Sequence, residues 1–306
     1  MGQRWAAFRQ EIVPVAKDSW AGFQRHNGQW LAAALAYFAA FAIAPLIIVV
    51  VEIAGLAIKD HQRVLNLIFS YLQRDAGAGA GAVKQIVAAT FNEPRKGIVA
   101  EIIGWIVFVV AALGLFGAVQ FALNTIWEVV PKNLTLMENI RQRAAGFGVM
   151  LGIALLLLLS IGANALLTVM ATYFTHIFPG FATLVKIADF AISFAVLWGA
   201  FSLLYEYLPE CRIEWRDVWV GAAVTSFLFV VGQFLLGWYL GRAGISSGYG
   251  AFGSLVVFLI WVNYSAQIVL FGAEVTRVYA RRYGSQAQSN TTRGEVAASS
   301  RTAVRV

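Results

Sequence analysis

The chain has 306 residues, of which 59% are hydrophobic and 13% charged, and its net charge is +7. A soluble domain carries about 25% charged residues, so this composition indicates an integral membrane protein. In a soluble protein the positive charge would suggest nucleic acid, but cytoplasmic loops of membrane proteins also collect Lys and Arg. We therefore expect no nucleic-acid partner. A single cysteine, Cys211, excludes an internal disulfide and a C-x-x-C site.

Residues 1–29 predict a basic amphipathic helix that lies in the plane of the cytoplasmic membrane interface. Trp5, Phe8, Ile12 and Phe23 recur at helical spacing, and basic residues occupy other positions of the helical wheel. Pro14 is expected to break or bend this helix. A mobile N-terminal tail is the alternative.

Six segments are long and apolar enough to cross a bilayer. They cover about residues 31–58, 97–123, 144–173, 181–207, 219–240 and 254–279. The predicted fold is an all-α membrane protein with six transmembrane helices in one domain, residues 30–282. Residues 283–306 are small, polar and basic, which predicts a disordered tail.

The segment between the first two spans, residues 59–96, is not a clean span. Its polar positions form a narrow face on an otherwise apolar helix, and Gly77, Gly79 and Gly81 favour a turn. We expect an extracytoplasmic amphipathic helical hairpin on the membrane surface. A re-entrant element that lines a pore is the alternative.

The distribution of basic residues favours an orientation with both termini in the cytoplasm. With six spans, fifteen of the 23 Lys and Arg residues then lie inside. Eight lie outside, and six of these belong to the long segment 59–96. Because short loops near span ends set the orientation, the remaining loops decide it.

The sixth span carries a polar stripe on an apolar helix. Asn263, Gln267 and Glu274 share one helical face, which Arg277 and Arg281 continue at the predicted cytoplasmic lip. Such a stripe requires a partner helix or a cavity. Glu274 precedes Arg277 by three residues, so an intrahelical ion pair is the alternative to a functional role.

Other spans contain further candidates for a substrate path or a polar interior. Glu52 is costly in hydrocarbon and is a functional candidate for that reason, although hydration at the far interface is the alternative. Glu52 and Glu274 are the candidates for proton coupling. A single amide in a span more often bonds a neighbouring helix than a substrate. The amide candidates outside the sixth span are Asn124, Asn164 and Gln233.

Prolines and glycines predict the shape and packing of the spans. Pro45 removes a helical hydrogen bond and should kink the first span. Two GxxxG pairs, at positions 148/152 and 237/241, make a homodimer plausible.

The sequence contains no recognisable catalytic constellation. His26, His61 and His176 are scattered, and neither a zinc-binding His pattern nor G-x-S-x-G occurs. Paired carboxylates are absent from the spans. We expect no enzymatic activity, no metal and no cofactor.

Four stretches resemble the YihY/BrkB-like family of bacterial inner-membrane proteins. They read AAALAYFAAFAIAPLIIV, ALNTIWEV, YEYLPECRIEWRDVWVGA and YGAFGSLVVFLIWVNYSAQIVLFGAEVTRVYA, within a similarity that covers about residues 10–283. The resemblance implies six helical spans in a bacterial inner membrane. It also assigns structural roles to Gly253 and Gly272, whereas Ala42 stands where we would expect a hydroxyl residue. Family members have carried the labels virulence factor and ribonuclease BN, and no nuclease residues can be matched here.

These observations lead to three functional hypotheses. The first is a transporter or flippase-like protein for a lipid or another amphipathic anion, with membrane lipids as partners. The second is a non-transporting scaffold within an envelope complex, which predicts that every buried polar group is paired. The third, an enzyme, would require a pocket that converges on Glu52 or Asp189.

Overall fold

All regular structure in the described part of the chain is α-helical. The computed structural model describes residues 2–42, 97–129, 181–211, 213–243 and 251–284, together with single helical positions between 137 and 166. Six helices are described in these ranges. They are α1 (Gly2–Arg25), α2 (Gly28–Ala42), α3 (Gly97–Ile126), α4 (Phe181–Tyr207), α5 (Trp215–Ala243) and α6 (Ala251–Arg282). The all-α prediction is confirmed for this part.

Four of these helices are long and apolar enough to cross a membrane. The apolar stretches run from Val109 to Ile126, from Thr183 to Tyr207, from Trp215 to Tyr239 and from Leu255 to Arg282. Only the beginning of the first predicted span, in α2, and scattered positions of the third are described. The predicted hairpin at 59–96 lies outside the described residues. The count of six spans therefore stays a prediction.

The helix ends differ from the sequence prediction where charged residues complete a helix. Helix α5 begins at Trp215, four residues before the predicted start, and carries Asp217 in its first turn. Helix α6 continues to Arg281 and Arg282 in its last turn. Acidic residues at a helix N-terminus and basic residues at a C-terminus stabilise the helix dipole. The spans predicted from the sequence left these residues out because they are charged.

Helix α1 is continuous through Pro14, so the proline does not break it, and the alternative of a bend stays a prediction. The proline removes only one backbone hydrogen bond, and a tertiary contact stabilises the residues that follow it. In that contact, Trp20 and Phe23 of α1 place their rings 6.4 and 6.1 Å from the ring of Phe271 on α6.

The described structure divides into two compact units. Unit 1 comprises residues 1–26, 123–228 and 269–306, and unit 2 comprises residues 27–122 and 229–268. Each unit has its own close helix packing.

In unit 1, α5 and α6 pack through two reciprocal pairs of glycine and threonine. A Cβ atom on Gly221 would lie 2.9 Å from the Cα atom of Thr276, and one on Gly272 would lie 2.8 Å from the Cβ atom of Thr225. Each threonine hydroxyl donates to the carbonyl of the glycine four residues before it, at 2.8 Å. Glycine is required at both positions because the opposing helix occupies the space of a side chain.

The phenol of Tyr205 joins α4 to this pair of helices. Tyr205 is fully buried, and its hydroxyl donates to the backbone carbonyl of Val269 at 2.7 Å. The same hydroxyl lies 3.0 Å from Thr225 Oγ1. Three helices of unit 1 therefore meet at the Tyr205 hydroxyl.

In unit 2, α5 and α6 pack around a small apolar core. Leu236 and Val257 are buried there, with Ile260, Trp261 and Tyr264 against them. Three of the four glycines in the predicted GxxxG pairs make no comparable contact, and the surroundings of the fourth, at position 241, are not described. A Cβ atom on Gly148, Gly152 or Gly237 would have no atom within 4 Å.

Candidate functional site

Five charged or ionisable side chains of unit 1 form one connected cluster, which we call the ion cluster. His26 lies in the turn between α1 and α2, and Glu128 follows the last turn of α3. The other members, Glu274, Arg277 and Arg281, lie on one face of α6 at spacings of three and four residues. Residues far apart in the sequence therefore meet at the end of α6.

Glu274 is the fully buried member of the ion cluster. Its side chain has 0% exposure, within a helix that is apolar enough to span a membrane. Arg277 Nε and Nη2 each lie 3.0 Å from Glu274 Oε2, and Glu274 Oε1 contacts the Nδ1 atom of His26. A buried carboxylate is strongly destabilising unless it is paired, and here both of its oxygens have a partner.

Glu128 is the most exposed member, with 42% of its side chain accessible, and Arg281 follows with 39%. Its Oε1 atom accepts from Arg277 Nη1 at 2.5 Å and lies 3.3 Å from His26 Nε2, and its Oε2 atom accepts from Arg281 Nη2 at 3.0 Å. Partial burial raises the pKa of Glu128, but hydrogen bonds from Arg281 and Arg277 and their positive charges outweigh burial and lower the pKa to about 2. The Glu128 carboxylate is therefore ionised at physiological pH.

The backbone of Glu128 has an unusual conformation for its residue type. Its φ angle is 52°, in the left-handed region that glycine favours at the end of a helix. The amide of Val129 donates to Asn124 O at 3.0 Å, and the amide of Glu128 donates to Thr125 O at 3.2 Å. This is a Schellman motif with glutamate in the position where glycine is usual, so the side chain of Glu128 is retained at a conformational cost.

A glycine of α1 lies directly against the buried ion pair. A Cβ atom on Gly22 would lie 2.6 Å from Glu274 Oε2 and 3.0 Å from Arg277 Nη2. On the same two helices, Asp18 and Arg282 form an exposed ion pair at 3.3 Å. Gly22 of α1 therefore leaves room for the Glu274 side chain, and His26, in the turn that follows α1, places its imidazole ring against it.

The structure places the amide candidates in hydrogen bonds outside the ion cluster. Asn124 Oδ1 accepts from the backbone amide of Glu210 at 2.9 Å, which fastens the α4–α5 connection to the end of α3. Gln233 of α5 donates to Ser265 Oγ at 3.1 Å and accepts from Trp261 Nε1 at 2.8 Å, both on α6. Gln267 donates to Asn263 Oδ1 at 2.6 Å within α6.

The structure describes only some of the remaining candidate residues predicted from the sequence. Glu52, Asn164 and Pro45 lie outside the described residues. Gly253 lies in the first turn of α6, and Gly272 lies at the close α5–α6 contact. Arg277 and Arg281 are both bound by Glu128, so their charges are already matched by a carboxylate.

Sequence reasoning did not identify His26 and Glu128 as partners of the polar stripe. His26 precedes the first span and Glu128 follows the second, so the predicted topology already puts both on the same side of the membrane as Arg277. This shared location and the opposite charges of Glu128 and Arg277 were the available signal. In the described ranges, no group of three or more His, Cys, Asp and Glu residues has the geometry of a metal site.

A family profile described as "Virulence factor BrkB" matches residues 19–296, and this range contains the whole ion cluster. The chain belongs to the BrkB family. The resemblance predicted from the sequence motifs is thereby confirmed.

Curated relatives of the chain are named as membrane proteins. The UPF0761 membrane protein of Pseudomonas aeruginosa is 30% identical over 254 residues, which cover 79% of this chain and 57% of the relative. That of Azotobacter vinelandii is 28% identical over 264 residues, 83% of this chain and 60% of the relative. That of Mannheimia succiniciproducens is 25% identical over 262 residues, 84% of this chain and 86% of the relative. The chain thus spans less than two thirds of the Pseudomonas and Azotobacter proteins. No solved structure matches it.

Proposed function

We propose that the protein moves a lipid or another amphipathic anion across the bacterial inner membrane, as a six-span protein with both termini in the cytoplasm. The observation that carries the proposal is Glu274, fully buried at the end of a membrane-spanning helix and paired with Arg277 and His26. Ionisable groups in membrane helices are costly, and they mark ion or substrate pathways more often than structural positions. Membership in a family of membrane proteins agrees with this proposal.

The structure changes which residues could attract the anion. Arg277 and Arg281 form ion pairs with Glu128, so neither is an isolated positive charge that is available to bind a phosphate. An anionic head group would have to compete with Glu128 for these guanidinium groups, and the side chains of Glu128 and Arg281 are 42% and 39% exposed. The proposal involves no catalytic step and no cofactor.

A non-transporting envelope scaffold is the second candidate, because several interior polar groups are satisfied by neighbouring helices. Gln233 bonds two side chains of α6, and Asn124 bonds the backbone at Glu210. Such pairing is what a protein without a substrate path would show. The two candidates differ in whether the purified protein moves lipid.

A proteoliposome assay distinguishes them. The full chain is reconstituted in vesicles that contain fluorescent phosphatidylglycerol, and the dye in the outer leaflet is bleached with dithionite. We expect wild-type vesicles to lose fluorescence from both leaflets and Glu274→Gln vesicles to do so at least about tenfold more slowly, which corresponds to a transport barrier that is higher by about 1.4 kcal/mol. Arg282→Gln, which breaks only the exposed pair with Asp18, is the matched control. Equal bleaching of wild-type and protein-free vesicles would favour the scaffold.

A further inference from the structure

The ring of His26 lies between two carboxylates, and this position determines which of its nitrogens must carry a proton. Nδ1 contacts Glu274 Oε1, and Nε2 lies 3.3 Å from Glu128 Oε1. A neutral imidazole has one N–H donor and one bare nitrogen, and a carboxylate can only accept. A neutral ring would therefore point a lone pair at one of the two carboxylates. Both contacts are favourable only when the group of His26, Glu128 and Glu274 holds one additional proton.

The charges around the ring make this proton exchangeable. Helix α6 presents Glu274, Arg277 and Arg281, and the segment after α3 presents Glu128, so two guanidinium groups already balance two carboxylates. On α1 itself, the adjacent Arg25 is exposed and Asp18 is bound to Arg282. The additional proton is thus held by the two hydrogen bonds of the ring and is not required for charge balance. A proton bound in this way can leave when the pH rises.

Solvent exposure of the side chains decreases from Glu128 to His26 to Glu274. The side chains of Glu128, His26 and Glu274 are 42%, 10% and 0% exposed. Imidazole can accept a proton at one nitrogen while it releases one from the other. A proton from water, received directly or through Glu128, forms the N–H bond at Nε2. The N–H bond at Nδ1 then breaks, an O–H bond forms at Glu274, and the ring is neutral again with its Nε2–H directed at Glu128.

We propose that His26, Glu128 and Glu274 form a proton-binding site that passes a proton between the aqueous phase and the buried end of α6. If the transport function proposed above holds, this site couples transport to the proton gradient. Protonation of Glu274 neutralises the carboxylate that pairs with Arg277, so the state of the site acts on the contact between α1 and α6 at Gly22.

The proton site can be tested without any transport measurement. The full chain is labelled with ¹⁵N-histidine, placed in nanodiscs, and its ring nitrogens are followed by NMR between pH 5 and 9. His26→Gln assigns the signals of His26 among the three histidines. We expect both ring nitrogens of His26 to be protonated at pH 5 and one of them to lose its proton by pH 9. A ring that stays neutral, or stays doubly protonated, over the whole range overturns the proposal.

Two variants decide whether the carboxylates belong to the site. Glu274→Gln and Glu128→Gln each remove one negative neighbour of the ring, so the loss of the proton should move to lower pH in both. Glu128 is exposed, so the second variant keeps the test valid if the first fails to fold. Arg282→Gln, on the same helix, should leave the titration of His26 unchanged. A titration that neither carboxylate variant moves contradicts the proposal.

The coupling is tested in vesicles that contain fluorescent phosphatidylglycerol. One proton per lipid and a gradient of one pH unit support at most about a tenfold asymmetry between leaflets. We expect wild-type protein to produce a pH-dependent asymmetry below this limit, and His26→Gln to move lipid without it. Asymmetry that persists in His26→Gln overturns the coupling. If wild-type protein moves no lipid, the transport function and the coupling both fail, and the NMR experiment still decides the proton site.

Discussion

At the scale of single residues, Glu128 combines a strained backbone with a well-matched side chain. Its φ angle of 52° suits glycine, but its carboxylate binds Arg277 and Arg281. The sequence could not show the backbone conformation of Glu128. The contact of His26 with Glu274 joins residues 248 apart, and its contact with Glu128 joins residues 102 apart. Such contacts depend on how helices are rotated and placed, which hydropathy does not determine.

The strain can be separated from the ion pairs with two substitutions of Glu128. Glu128→Ala and Glu128→Gly both delete the carboxylate, but only glycine relaxes the left-handed backbone. We expect Glu128→Ala to be less stable than Glu128→Gly by about 1 kcal/mol, measured as unfolding of the full chain in detergent. An alanine variant as stable as the glycine variant would show that the backbone is unstrained.

The lowered pKa of Glu128 predicts a specific acid sensitivity. Because the pKa falls from 4.5 to about 2 on folding, the contribution of Glu128 to stability is present above pH 4.5 and is lost as the pH falls toward about 2. The unfolding temperature of the wild-type chain should therefore fall more between pH 5 and pH 3 than that of Glu128→Gln. The difference should be small, since the group is 42% exposed and solvent screens it. Identical pH profiles would contradict the ion-pair assignment.

At the scale of helices, hydropathy predicted the described spans well, and side-chain chemistry explains their differences from prediction. The bounds of α4 are those predicted, because its apolar run ends two residues before Pro209. The close contact of α5 and α6 was not predicted. It uses Gly221 and Gly272 opposite threonines, whereas the GxxxG pattern pointed to Gly148, Gly152 and Gly237, where added side chains meet open space.

Two glycines of α5 provide a matched test of this contact. Gly221→Ala forces a methyl group against the backbone of Thr276, whereas Gly237→Ala adds a methyl group with no atom within 4 Å. We expect the first to destabilise the protein by about 3 kcal/mol through overpacking, and the second to be neutral or to stabilise it by up to about 1 kcal/mol. Thermal unfolding in detergent measures both. Similar effects for the two alanines would show that α5 and α6 are not in close contact at Gly221.

At the scale of the whole molecule, composition alone predicted the membrane class, and the relatives named as membrane proteins support it. The described structure adds four helices that are long and apolar enough to span a membrane and an N-terminal helix that contacts α6. Composition could not show that contact, because a basic amphipathic helix suits a lipid surface and a protein surface equally well. The proposed orientation in the membrane rests on the counts of Lys and Arg and is open to direct measurement.

The native cysteine makes this measurement practical. Burial and the nearby charge of Glu206 raise the pKa of Cys211 to about 11, from an ordinary 9.0. Its thiolate fraction at neutral pH is therefore about a hundredfold below that of an ordinary thiol, and maleimide should label it correspondingly slowly until the chain is denatured. Cysteines introduced as Gln3→Cys and Ser299→Cys should react only from the cytoplasmic side. Labelling of either from the outside would reverse the proposed orientation.

The contact of α1 with α6 also sets an order of events during synthesis. His26 leaves the ribosome 248 residues before Glu274. At about 5–20 residues per second, the N-terminal segment waits roughly 10–50 s for its partner. During that interval Gly22 and His26 have no α6 to pack against, so formation of this contact shows that α6 has been synthesised. A nascent chain arrested before α6 should have a protease-sensitive N-terminal segment, and the complete chain should protect it.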